Sequence, residues 1–83
     1  MTMKYIITNN HSPIIFSEAE KHSDVARGVG ALSAGFVSIS IDKDDDGEMS
    51  YKVRCYGESF SLGGLASRGE EDEQIIKRML KRY

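Results

Sequence analysis

The chain has 83 residues, of which 40% are hydrophobic and 29% charged, and its 11 basic and 13 acidic side chains leave a formal charge of −2. This allows one domain, residues 1–83, with a thin core, and argues against wholesale disorder. It also excludes a general electrostatic pull on DNA or RNA, which needs a clustered positive surface, so nucleic acid is not an expected partner.

The one cysteine, Cys55, cannot form an internal disulfide, and nothing points to an oxidising compartment. Tyr5-Ile6-Ile7 is too short for the apolar core of a signal peptide. No apolar run approaches the ~20 residues of a membrane helix. The expectations are a cytoplasmic location and no membrane partner. A core this thin makes a homo-oligomer the expected way to add buried area.

Lys4 to Thr8 is β-branched and aromatic and reads as a strand. Asn9 to Pro13 is a turn by composition, and Ile14-Ile15-Phe16 resumes an extended segment, so the two pair as a hairpin. Ser17-x-x-Glu20 fits a capping box, which predicts a helix to about Arg27 with Gly28 as its C-cap. Its apolar stripe of Ala19, His22, Val25 and Ala26 is weak. Ala31 to Asp42 is a long strand in which Val37, Ile39 and Ile41 share one face. Leu32, Ala34 and Phe36 have the opposite parity, which predicts a bulge near Gly35. Lys43 to Gly47 is a polar hairpin loop, and Met49, Tyr51, Val53 and Cys55 alternate with polar residues in the returning strand.

Gly57-Glu58 reads either as a tight turn into a further strand, with Phe60 and Leu62 facing the core, or as a bulge within one long strand. Ser67-x-x-Glu70 is a second capping box. It opens a helix from about Arg68 towards Tyr83, with Ile75, Ile76, Met79, Leu80 and Tyr83 on one face. Acidic residues 70–73 and basic Lys77, Arg78, Lys81 and Arg82 suit the two ends of the helix dipole. The predicted fold is α+β: a small, mostly antiparallel sheet of about four or five strands with two helices packed on it, in the order β-β-α-β-β-(β)-α.

Asp42-Lys43-Asp44-Asp45-Asp46-Gly47 matches the first half of a calcium-binding EF-hand loop, but Val53 stands where the closing bidentate Glu belongs and strands flank it. An acidic, solvated hairpin is the plainer reading, with weak cation binding left open. Arg27-Gly28-Val29-Gly30 lies after a helix, the reverse of a dinucleotide fingerprint. Ser61 to Arg68 leads glycines and serines into a helix N-terminus, where free N–H groups can hold an anion and Arg68 can clamp it. Glu70 to Glu73 oppose this. His22 reads as a packed, hydrogen-bonded histidine and His11 as exposed. Cys55 has inward parity, that of an inert thiol, and no residue orients a Cys–His pair. No cofactor or metal site is expected, and the chain reads as a non-enzyme.

Met3 to Thr8, His22 to Arg27, Ser33 to Val37, Gly57 to Gly63 and Ser67-Arg68-x-Glu70-Glu71-Asp72 together resemble a loosely defined group of short uncharacterised proteins of phages and bacterial mobile elements. Related members carry proline after the Ser-Arg pair, where this chain has Gly69, which implies a looser helix start. The resemblance implies an accessory or counter-defence protein in the bacterial cytoplasm. One such role is sequestration of a small anionic, nucleotide-like ligand by a homo-oligomer, for which His22, Arg27, Ser33, Arg54, Ser61 and Arg68 are the candidate pocket residues. The alternative is a protein-interaction module that inhibits or tethers a host protein through the charged hairpin Asp42–Glu48 and the terminal helix.

Overall fold

Tyr5-Ile6-Ile7 is apolar without alternation, the pattern of a strand covered on both faces. In the computed structural model, which describes residues 2–81, this run lies in β1 (Thr2–Thr8) and all three side chains are fully buried. β1 pairs with β2 (Pro13–Phe16) through a turn in which the His11 N–H donates to the Thr8 carbonyl. A single helical turn, α1 (His22–Val25), leads to β3 (Ala31–Lys43), which pairs with the other edge of β1. β4 (Met49–Tyr56) returns alongside β3, so the antiparallel sheet has the order β2-β1-β3-β4. A small second sheet joins β5 (Glu58–Ser59) and β6 (Leu65–Ala66) around a 3-10 turn at Phe60–Leu62. The amphipathic helix α2 (Glu70–Leu80) closes the described chain. The architecture is therefore the expected α+β class with an antiparallel sheet. Among the described residues, no helix is long and apolar enough to cross a membrane.

α2 covers one face of the sheet. There Tyr5, Ile7, Val37, Val53, Cys55 and Ile76 form a buried cluster, flanked by Met3, Ile15, Ile39, Ile75 and Leu80. On the opposite face Ile6, Ala26 and Ala34 form a smaller cluster, with Ile14, Phe16, Val25, Ala31, Leu62 and Leu65 against it. The two apolar parities in β3 thus serve two cores, and the expected bulge at Gly35 is absent. Pairing runs in step through Gly35, and the register shift lies at Ile7/Thr8, beside Leu32. Gly35 answers a different need: a Cβ there would come within 2.5 Å of the Tyr56 carbonyl oxygen and 3.2 Å of Ser67 Cβ.

Both expected capping boxes are replaced. Ser17 and Glu20 form a turn, with the Ala19 N–H donating to Ser17 Oγ and the Glu20 N–H to the Ser17 carbonyl, so the helix expected from Ser17 to Arg27 shrinks to α1. A serine that bonds its own backbone competes with helix formation, and a short helix with a weak stripe has little to oppose it. At α2 the N-cap is Gly69, with φ 62° and ψ −116°. Proline's ring forbids that conformation, so glycine defines this helix start rather than loosening it. Phe60, expected in the core, is 89% exposed on the 3-10 turn. Arg82 and Tyr83, placed in the last turn of the final helix from sequence, lie outside the described residues.

Candidate functional site

Lys4 and Phe36 pair across β1 and β3, and Phe36 and Tyr56 across β3 and β4, so these three side chains share the sheet face opposite α2. Phe36 and Tyr56 stack with ring centroids 6.0 Å apart. His22, at the start of α1, meets Phe16 and Phe36 edge-on at 5.3 and 6.0 Å. Beside this aromatic group lies a hollow of about 480 Å³ lined by Lys4, Lys21, His22, Ser23, Phe36 and residues 58–61.

Each wall of the hollow is held by local bonding. The His22 Nε2–H donates to the Gly35 carbonyl at 2.8 Å, which leaves Nδ1 as the acceptor of the neutral ring. Burial lowers the His22 pKa and Lys4 lowers it further, outweighing the Gly35 carbonyl, so the ring is neutral at pH 7. Lys4 Nζ donates to the Glu20 carbonyl at 2.8 Å and so sits at the rim. The Ser23 N–H donates to Ser61 Oγ at 3.1 Å, tying α1 to the 3-10 turn. Ser59 Oγ accepts from the Leu62 N–H and lies 3.3 Å from Ser61 Oγ. Ser59 is buried beneath the turn, Ser61 stays exposed where it holds the Ser23 N–H, and the Phe60 ring stands in solvent at the edge of the hollow.

Of the six residues named from sequence, His22 and Ser61 come together here. Ser33 and Arg68 meet on the other side of the sheet, around Asp72. That carboxylate has no exposed surface. It accepts from the Tyr5 hydroxyl at 2.5 Å, from the Arg68 backbone N–H at 3.0 Å and from Arg68 Nε at 2.9 Å. Ser67 Oγ lies 2.7 Å from the Tyr5 hydroxyl and accepts the Gly69 N–H. Burial pushes the Asp72 pKa up, but hydrogen bonding by the Tyr5 hydroxyl and by Arg68 outweighs it and holds the carboxyl below its ordinary value. Ser33 Oγ is buried and makes no hydrogen bond among the described residues. Burial and Asp72 push the Tyr5 phenol well up. The anion expected at this helix N-terminus is therefore the chain's own Asp72. Arg27 is on the surface, paired with Asp24 at 3.4 Å, and Arg54 is exposed on β4 beside Ser38.

The remaining reactive groups are kept apart. Cys55 lies under α2 and His22 on the opposite sheet face, so they form no pair, and burial pushes the thiol up to about 12. In the acidic hairpin Asp44 Oδ1 accepts from the Asp46 and Glu48 N–H groups, which ties the carboxylate into its own turn. Among the described residues, no group of three or more His, Cys, Asp or Glu side chains is placed to hold a metal ion. His11, at φ 62°, is exposed in its turn as expected.

Lys4, Lys21, Ser23, Ser59 and Phe60 were missed from sequence as site residues. The one legible signal was Ser59-Phe60-Ser61, a large ring between two small polar residues just after a glycine turn. Comparison with protein families, curated proteins and solved structures finds no match.

Proposed function

We propose that the protein acts by binding rather than by catalysis, and that its ligand is a small, nucleotide-like molecule carrying both an anionic group and a flat ring. The observation that carries this reading is Phe60, a phenyl ring 89% exposed on the lip of a hollow that also holds Lys4, Lys21 and the Ser59 and Ser61 hydroxyls. A solvent-facing phenylalanine contributes nothing to the core, whereas a ring stacked on a base contributes about 1–3 kcal/mol. The two ammonium groups outnumber the Glu58 carboxylate on the same lining and suit a phosphate, the hydroxyls can donate to its oxygens, and the His22 Nδ1 can accept from a base N–H. In the setting implied by the phage and mobile-element resemblance, such a protein would sequester a nucleotide-derived signal.

Thermal shift and calorimetry against mono-, di- and cyclic nucleotides test the proposal. A ligand at 100 times its Kd should stabilise the fold by about 2.7 kcal/mol. Phe60→Ala should abolish that gain and leave the unliganded protein unchanged. No stabilisation by any nucleotide at millimolar concentration would overturn the reading.

A further inference from the structure

β4 is one of the two edge strands of the sheet, with β2 at the other side, and among the described residues no strand pairs with its outer edge. In an antiparallel ladder, alternate residues turn their backbone groups towards the neighbour and away from it. The Cys55 N–H donates to Glu73 Oε2 at 3.0 Å, a side chain of α2, so the odd-numbered residues of β4 face outward. At Cys55 that edge is capped. At Met49, Tyr51 and Val53 the outward N–H and C=O groups have no partner strand.

The side chains beside this open stretch are also unusual. Ile41 is 60% exposed, Met49 66% and Tyr51 41%, although all three have the parity that places Val37, Val53 and Cys55 in the core. With Ser50, Lys77, Leu80 and Lys81 they line a hollow of about 650 Å³ between the outer hairpin and the end of α2. An unpaired edge flanked by exposed apolar side chains is a template for another strand.

We propose that this edge binds a second copy of the same chain, β4 against β4, antiparallel about a two-fold axis. Charge selects the register among those that oppose the outward-facing residues. Centred on Val53, the pairing sets Lys52 against Arg54 of the second copy. Centred on Lys52, it sets lysine against lysine. Centred on Tyr51, it sets Glu48 against Arg54 of the second copy, Ser50 against Lys52 and Met49 against Val53. Centred on Ser50, it sets Glu48 against Lys52 but leaves Val53 opposite Gly47. Of the registers that join opposite charges on one face, the one centred on Tyr51 also merges Met49, Tyr51 and Val53 of both copies on the other. It ends before Cys55, where Glu73 closes the edge. The outcome is one continuous sheet of both copies, with the apolar hollow by each hairpin covered, and it gives the homo-oligomer expected from the small core a definite surface.

The test is sedimentation equilibrium from about 1 to about 300 μM, the range suited to a modest interface of this kind. The chain should dimerise with rising concentration. Arg54→Glu and Glu48→Arg should each weaken assembly by roughly tenfold or more, since each sets two like-charge pairs across the axis. Mixed together, the two variants should form a heterodimer, because every pair across the axis is then complementary. Circular dichroism confirms that both variants are folded. A chain that stays monomeric throughout, a dimer insensitive to both reversals, or variants that fail to recover on mixing would each overturn the proposal. The ligand reading stands apart from it: Phe60→Ala should leave this assembly unchanged.

Discussion

On the α2 side of the sheet, six apolar residues close around one another and a fully buried carboxylate lies beside them with the Tyr5 hydroxyl and Arg68 in place. On the other side a smaller cluster of Ile6, Ala26 and Ala34 gives way to a hollow where Lys21, Ser61 and a solvent-facing ring stay exposed. The same strands build both surfaces. The difference teaches that in so small a domain one face carries most of the stability, and this frees the other to hold polar and apolar groups where a ligand can reach them.

The sharpest way to break the contrast is at Asp72. Asp72→Ala removes the buried carboxylate that the Tyr5 hydroxyl and a partly buried Arg68 share, leaving them only Ser67 and Glu71, and should cost about 3 kcal/mol in urea unfolding, the lower end for removing one partner of a buried pair. Gly35→Ala should cost about 2 kcal/mol, because the added methyl meets the Tyr56 carbonyl and neither strand can yield without opening the ladder. Ala34→Gly, on the opposite face, removes a buried methyl and also frees the backbone, and should cost about 2 kcal/mol.

Acid should reveal the two faces in turn. His22 and Asp72 both have lowered pKa values in the folded chain, so the unfolded chain binds more protons as pH falls and stability declines. The His22 contribution is complete above its ordinary value of 6.5 and is lost on going below it. The Asp72 contribution is complete above 3.8 and is lost as pH falls further, through its lowered value. Urea midpoints measured from pH 7.5 downward should therefore fall in two stages, and His22→Gln should remove the first alone. The smallest effect is expected at Phe60. Phe60→Ala should change stability by less than about 0.5 kcal/mol, the range for an exposed site, while removing ligand stacking.

The strands were legible because their signal is local. The alternation of Val37, Ile39 and Ile41, and of Met49, Tyr51, Val53 and Cys55, declares a period of two whatever surrounds it. α2 was legible for the same reason, from Ile75, Ile76, Met79 and Leu80 and from charges suited to its dipole. His22 was read as a packed, bonded histidine, and its contact with the Gly35 carbonyl is of that kind. The first helix was misjudged because a capping box is only as good as the apolar stripe behind it, and Ser17 had a turn to make instead. Ser33 and Arg68 were named together for a ligand, yet the group that unites them, Asp72, was passed over as one of four acidic residues at a helix start.

The order of the four main strands and the terminal helix, their periodicity and the antiparallel class were determined by the sequence alone, because hydrophobic alternation and helix dipoles act between neighbours a few residues apart, whereas the small second sheet and its 3-10 turn were not. Only the tertiary structure decided which of four clustered acids is buried, which phenylalanine is left in water and which strand edge stays open. Those outcomes depend on residues brought together from positions as distant as Tyr5 and Asp72, and no pattern of nearest neighbours encodes a contact across that separation.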